Sequence, residues 1–321
     1  MAFDALSDVS DEALLVLYAN GDAGGARMSN FLLSHQALLN ICIINAILAL
    51  SQYVVLRAGV FSLATAGIAA IGAYTAGILM LREVHPAICV LAAAVIGIVA
   101  AVILSVPLAR LRGVFQAIAT LAFVQIVMSL ALYADSITGG ATGLNGIAKT
   151  VDTWHLLAVL LLVVFVMSRL GRSPTGRAFD TIRQDETVAV SLGIDVVSHH
   201  RFAFILSGCI AGLAGGLMAG HNYSVATAEF GFHLMISVLS FVVFGGLSSI
   251  AGPIVGAFIL TILPELARPL ADNRMIMYGG LLILTIIYLP NGVIDTWLLR
   301  IKQRRQAARS RQAAPATGAG A

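Results

Sequence analysis

His199 and His200 are the residue types most able to hold a metal, but adjacent residues do not face each other on a helix. No Cys or carboxylate set accompanies them. They read as an interfacial polar pair, and no metal site is expected. A proton relay needs Asp or Glu within the apolar runs. Between Asp22 and Asp135 the only acidic residue is Glu83, in a polar turn with Arg82, His85 and Pro86, while Glu229, Glu265 and Asp295 fall in a loop or near run ends. No stretch matches G-x-x-x-x-G-K-[ST], so the chain has no nucleotide cradle and no bound cofactor of its own. No run carries the clustered His, Asp or Glu that a membrane enzyme requires. What remains is uncharged polarity. Asn45, Gln52, Gln116, Thr120 and Gln125 sit inside apolar runs. They could line the path of a small polar solute or cross-link neighbouring helices, and cross-linking is the heavier reading because uncharged polar groups mark function more weakly than charges do. Any energy input has to come from a partner or an ion gradient.

The elements that position these residues are membrane spans. Hydrophobic residues make up 59% of the chain and charged residues 11%, and mean hydropathy is strongly positive, which excludes a water-soluble globular protein. Runs of about 17 to 25 apolar residues are what a roughly 30 Å hydrocarbon layer asks of a helix, whereas a barrel would show short alternating segments. The fold class is therefore all-α, a polytopic membrane bundle. The formal charge of +3 is too small and too scattered to imply a nucleic-acid partner. Cys42, Cys89 and Cys209 are odd in number and lie in apolar runs, so they read as small buried hydrophobes.

Residues 1–30 are acidic, without the basic cluster of a signal peptide, and read as a soluble lead-in. Spans are expected at Phe31–Leu56, Val60–Leu81, Pro86–Ala109, Val114–Tyr133, Trp154–Leu170 and Phe202–Gly220. Phe232–Pro264 is too long for one span and is broken by Gly245, Gly246, Gly252 and Pro253, giving two short helices joined at SSIAG. Met275–Leu289 is the last. Gly208, Gly212, Gly216 and Gly220 recur every fourth residue, a ridge that lets another helix approach closely. TGGATGLNGI reads as a structured loop outside the hydrocarbon. The domain organisation is 1–30, then a membrane domain over 31–299, then a basic, disordered tail over 300–321. Arg57, Arg110, Arg112, the arginines of 169–183 and the tail share the cytoplasmic side only if Phe232–Pro264 crosses twice. That requires about nine (8–10) spans, with the amino terminus outside and the carboxy terminus inside.

The polar stretch 172–195, RSPTGRAFDTIRQDETVAVSLGID, interrupts the apolar second half with four acidic and three basic residues. Ser173 suits a helix cap, Pro174 a first helical position and Gly193 an ending. Phe179, Ile182, Ala189 and Val190 could form one apolar face of a helical element.

SPTGRAFDTIRQDETVAVSLGID followed by AFILSGCIAGLAGGLMAG resembles the cytoplasmic coupling loop and next span of permease subunits of branched-chain amino-acid ABC importers. GVFSLATAGIAAIGAYTAGIL, LRGVFQAIATLAFVQI, TGGATGLNGI, VVFGGLSSIAGPIVGAFI, Pro264-Glu265 and YLPNGV resemble the family's other segments in order, over about Arg57 to Val293. One departure is Ala64 and Thr65, where many members have Gly-His after Ser-Leu. The resemblance implies a multi-pass inner-membrane subunit in bacteria without ATPase activity of its own. It implies pairing with a second related permease, two ATPase subunits that use ATP, surrounding membrane lipid, and an external solute-binding protein. Gly176, Arg177, Arg183, Asp185, Ala189 and Gly193 would carry the ATPase-coupling motif. Branched-chain amino acids, other amino acids, urea and short amides all remain open as solutes, and an ion-coupled secondary transporter is the alternative.

Overall fold

Helices form where the apolar runs lie in the computed structural model, which describes residues 36–266 apart from 109 and 149. The acidic segment 1–30, the span at Met275–Leu289 and the basic tail 300–321 lie outside the described residues. The backbone divides into two units, Met1–Ile41 and Cys42–Ala321. Only 36–41 of the first is described, and the bundle belongs to the second.

The main helices are α1 (Gln36–Arg57), α2 (Thr65–Leu81), α3 (Pro86–Leu108) and α4 (Val114–Tyr133). A four-residue α5 (Asp135–Thr138) and strand β1 (Leu144–Asn145) precede α6 (Thr153–Arg172), α7 (Pro174–Gln184), α8 (Glu186–Ser191) and α9 (Val196–His221). Strand β2 (Ser224–Val225), α10 (Phe232–Gly245) and α11 (Ala251–Leu266) follow. Among the described residues six stretches are long and apolar enough to cross a membrane: α1, α3, α4, α6, α9 and Thr227–Gly245. The outward faces of α3, α4 and α6 carry Leu91, Ile103, Phe115, Ile118, Leu161 and Phe165, the inverse of a soluble surface. The break foreseen in Phe232–Pro264 is present as the turn between α10 and α11.

Small residues set the centre. α2 buries Ala66, Gly67, Ala69, Ala70, Gly72, Ala73, Ala76 and Gly77 between α3 and α9. In lipid no hydrophobic force drives helices together, so contact depends on backbones coming close enough for dispersion and weak polar attraction. A Cβ built on Gly72 would lie 2.6 Å from the Gly212 carbonyl oxygen, and one on Gly97 would lie 2.5 Å from that of Gly208.

Two starts differ from expectation. α2 begins at Thr65 and leaves Val60–Ala64 non-helical, because Gly59 turns at φ +82 and side chains hold the following backbone. Gln52 Nε2 donates to Ser62 O at 2.6 Å, and Leu63 N donates to Thr120 Oγ1 at 3.0 Å. Irregular backbone at such depth survives only when protein groups satisfy it. α9 begins at Val196, upstream of the expected Phe202, because Asp195 caps it by accepting from Ser198 N at 3.2 Å.

The helix ends sort into two sets. At one end β1 pairs antiparallel with β2, Thr150 N donates to Gly220 O, and Tyr74 Oη meets Thr227 Oγ1 at 2.7 Å. The glycine-rich loop after α4 is thereby ordered over the ends of α2 and α9. Arg82, after α2, also lies at this end, while the other end gathers Arg57, Arg110, Arg112, Arg169, Arg172, Arg177 and Arg183.

Candidate functional site

At the arginine end, α6 turns into α7 through Ser173. Its hydroxyl donates to Leu170 O at 2.7 Å and accepts from Gly176 N at 3.2 Å, while Pro174 takes the first helical position. The polar stretch is two helices rather than one. Asp185 breaks it, and its carboxylate accepts from Thr187 N at 2.8 Å and Val188 N at 3.2 Å to start α8. The Val188 N–H, then that of Thr187, hold this carboxyl below the usual carboxylate range. Asp195 is likewise held low, first by the Ser198 hydroxyl and then by the Ser198 N–H.

One face of α7 and α8 is turned inward. Phe179 is fully buried, its ring edge-on to His199 at 6.1 Å and 6.4 Å from Phe202. Ile182, Ala189 and Val196 form a small apolar cluster. Val190, expected on that face, is 58% exposed, because the break at Asp185 rotates α8 relative to a continuous helix.

Polar ties bind the pair to the bundle. Arg57 Nε and Nη2 each donate to Asp180 at 2.8 Å, a two-pronged ion pair joining the end of α1 to α7. Arg112 Nη2 lies 2.9 Å from Glu186 Oε1, joining the α3–α4 turn to α8. Arg183 Nη1 donates to Leu247 O at 3.4 Å, reaching the α10–α11 turn.

The coupling candidates thus divide by surroundings. Gly176 lies against Leu170 O and Gly171 Cα, so a side chain there collides with the end of α6. Ala189 is fully buried, and Gly193 adopts φ +79 where α8 stops. Arg177 is exposed, its Nη1 3.4 Å from Arg172 O, and Arg183 is exposed apart from its tie to Leu247. Sequence reasoning missed the exposed Val188 and Leu192, the latter 68% exposed, and set Val190 on the inner face.

Of the path candidates, Gln52 also accepts from Thr65 Oγ1 at 2.6 Å, and Gln116 Nε2 donates to Leu108 O at 3.1 Å. Thr120 donates to Ala117 O and Gln116 O while accepting from Leu63 N. All three bond the chain's own backbone, and Gln52 also the Thr65 hydroxyl. Asn45 Nδ2 donates to Thr261 Oγ1 at 3.0 Å, a half-buried link between α1 and α11. Gln125 is exposed on α4. In the glycine ridge, Gly208 and Gly212 lie against α3, Gly216 lies near Ala93 and Ala76, and Gly220 faces Val151 and Met80. Gly215, outside the ridge, presses on Ala69 O of α2. His199 Nδ1 lies 2.7 Å from Asp195 O, while His200 is buried. Among the described residues no three of His, Cys, Asp and Glu converge as a metal site would require.

A family model described as "Branched-chain amino acid transport system / permease component" matches residues 35–286. The chain is 33% identical over 307 residues to the LivM permease protein of the high-affinity branched-chain amino acid transport system of Escherichia coli, covering 84% of this chain and 70% of that one. A probable branched-chain amino acid transport permease protein, LivH, of Methanocaldococcus jannaschii is 28% identical over 155 residues, covering 45% of this chain and 48% of that one. The BraD permease protein of Pseudomonas aeruginosa is 26% identical over 158 residues, covering 48% and 51%. No solved structure matches. A multi-pass bundle with most of its described arginines at one end, matched by that model over most of its length, belongs to the permease family of branched-chain amino-acid ABC importers.

Proposed function

We propose that the chain is the membrane-spanning half of an ATP-driven importer, passing branched-chain amino acids or related small polar solutes from an external binding protein into the cytoplasm. The observation that carries this is the two-sided character of α7–α8. One side is fastened to α1, α9 and the α3–α4 and α10–α11 turns. The other presents Arg177, Arg183, Val188, Val190 and Leu192 outward. Exposed apolar groups rimmed by charge, on an element outside the apolar runs, suit a protein partner. That partner is an ATPase subunit, one of two, and nucleotide-driven closure moves the bundle through this element. The chain holds no cofactor, and ATP is used by the partners. A second related permease completes the membrane part.

The arginine end is cytoplasmic in this reading, with about nine spans, the amino terminus outside and the carboxy terminus inside. Asn45 and Gln125 are the path candidates whose polar groups are not committed to backbone. Gly176, Asp185, Ala189 and Gly193 shape the coupling element, and Arg177 and Arg183 meet the partner. Reconstitution with the neighbouring-gene ATPase, second permease and binding protein tests the proposal: uptake should require ATP and all components. Uptake by this chain alone under an ion gradient overturns it.

A further inference from the structure

The outward side of α4 carries a pattern of its own. Its buried residues, Gln116, Thr120, Val124, Val127, Met128 and Ala131, lie on the side turned to the bundle. Ile118, Ala122, Gln125, Ser129 and Leu132 lie on another side, and all five are exposed. Their spacing of four, three, four and three residues has a period of 3.5, which keeps a narrow stripe facing one partner along a left-handed pair of helices. Helices in membranes mostly pack with this hand. The stripe runs most of the length of α4, Val114–Tyr133.

Gln125 stands at the centre of that stripe, about 16 Å from the start of the helix at roughly 1.5 Å per residue and so near mid-membrane. Its amide has two N–H donors and an acceptor oxygen, and hydrocarbon offers a partner to none of them. The amides of Asn45, Gln52 and Gln116 are engaged within the chain. Those of Gln125, and the Ser129 hydroxyl, make no hydrogen bond among the described residues, whereas the exposed Ser168 of α6 closes its hydroxyl on Phe165 O at 2.8 Å. Ala122 and Ser129, on either side of Gln125, are small, so a second backbone can come within reach of the amide. A lipid tail neither satisfies this amide nor needs small residues beside it. A membrane helix with a hydrogen-bonding group at mid-depth does both.

We infer that this stripe of α4 is the seam at which the second permease packs, with Gln125 hydrogen-bonding across it and Ala122 and Ser129 admitting the neighbouring backbone. One polar group in an otherwise apolar seam fixes register at a cost in stability, which suits a contact between two particular subunits. The inference rests on the proposed pairing with a second related permease, and it assigns Gln125 to the seam rather than to the solute path.

The full chain is co-expressed with the neighbouring-gene permease, and the photo-crosslinking residue p-benzoylphenylalanine replaces Ala122, Leu132 or, off the stripe, Leu130. Membranes are irradiated and the adducts identified by mass spectrometry. Strong adducts with the second permease are expected from Ala122 and Leu132 and weak ones from Leu130. In a separate arm, Q125L should keep the unfolding midpoint of the chain purified alone, since its amide has no bond among the described residues to lose. Retention of the second permease on affinity purification should nevertheless fall about threefold to tenfold, the worth of one interhelical hydrogen bond. Adducts with a second copy of this chain, with its own residues 267–321, or equally strong adducts from Leu130 overturn the seam. So does Q125L that holds the second permease as the parent does, or that changes only the KM for solute. Absent adducts in a complex whose uptake still requires ATP overturn the seam and leave the importer reading standing. A parental chain that never co-purifies with the second permease overturns the pairing on which both rest.

Discussion

Arg57 and Asp180 stand 123 residues apart in sequence, yet both prongs of the guanidinium reach the carboxylate at 2.8 Å. Arg57 also lies over the Tyr53 ring, 6.0 Å from its centroid. Its side chain is 13% exposed and that of Asp180 47%, so solvent screens one partner. R57A should therefore cost about 1 kcal/mol, between an exposed ion pair and a buried charged hydrogen bond, read as a lower unfolding midpoint in detergent. Lysine keeps the charge without the fork, so R57K should recover only part of that loss. If α7 transmits motion to α1, R57A should also lower uptake per ATP hydrolysed in the reconstituted complex. An unchanged ratio would show that the pair is structural only.

Gly176 and Arg177 are neighbours with opposite surroundings, and substitutions should separate them. A side chain at 176 meets Leu170 O and Gly171 Cα, so G176V should overpack the α6–α7 corner at a cost of about 1–3 kcal/mol and reduce the yield of folded protein. Arg177 is exposed. R177E should leave the midpoint within about 0.5 kcal/mol of the parent and yet weaken retention of the ATPase subunits on affinity purification. Loss of folding in R177E, or a normal yield of G176V, contradicts this division.

How legible these features were in the sequence depended on how local their causes are. Ser173, Pro174 and Gly193 could be read directly, because a cap, a first-turn proline and a left-handed stop act within a few residues. Asp185 uses the same kind of local bond, but it sits inside a run whose apolar spacing continues past it. The run therefore looked like one helix, and Val190 was placed on the wrong side. The glycine ridge of α9 was visible by its period. Its partners Gly72 and Gly97 were not, since nothing in a single chain reveals which small residues will face each other. Gln52 and Thr120 stood out as polar residues in apolar runs, while the backbone they support, Ser62 and Leu63, offered no signal. All the described arginines but Arg82 sorted to one end by charge alone, but their pairing with Asp180, Glu186 and Leu247 O needed the folded chain.

Gln52 and Thr120 hold the same five non-helical residues before α2. Gln52 serves Ser62 O and Thr65 Oγ1, and Thr120 serves Leu63 N. Q52L and T120V each leave a buried backbone group unpaired, which should cost about 1–3 kcal/mol apiece. Because both act on one segment, the double variant should lose less than the sum, with an interaction of about 0.5–3 kcal/mol in a thermal double-mutant cycle. Strict additivity would mean that the two side chains support the segment independently.

Gly212 and Gly231 offer a matched pair for the close-packed core. A Cβ at Gly212 would strike Ala93 O of α3, whereas one at Gly231 would lie 3.5 Å from its nearest neighbour, Ala228 O. G212A should therefore cost about 1–3 kcal/mol by forcing α3 and α9 apart, while G231A should stay within about 0.5 kcal/mol. Equal midpoints for the two would place the helix contact elsewhere than along the α9 glycines.

Ser249 and Thr187 lie at one end of the bundle, since Arg183 beside α8 reaches Leu247 in the α10–α11 turn. Asn145 lies at the other, paired with Ser224. Single cysteines at these positions, in a chain freed of Cys42, Cys89 and Cys209, allow the two ends to be assigned to the two faces of the membrane. The positive-inside rule puts the arginine end in the cytoplasm. A membrane-impermeant thiol reagent should then label Asn145→Cys on intact cells, and Ser249→Cys and Thr187→Cys only after permeabilisation. Labelling of Ser249→Cys together with Asn145→Cys would break the pairing of α10 and α11 as opposite crossings. Labelling of all three in the reverse sense would keep the two ends but turn the protein over, moving α7–α8 away from any cytoplasmic ATPase.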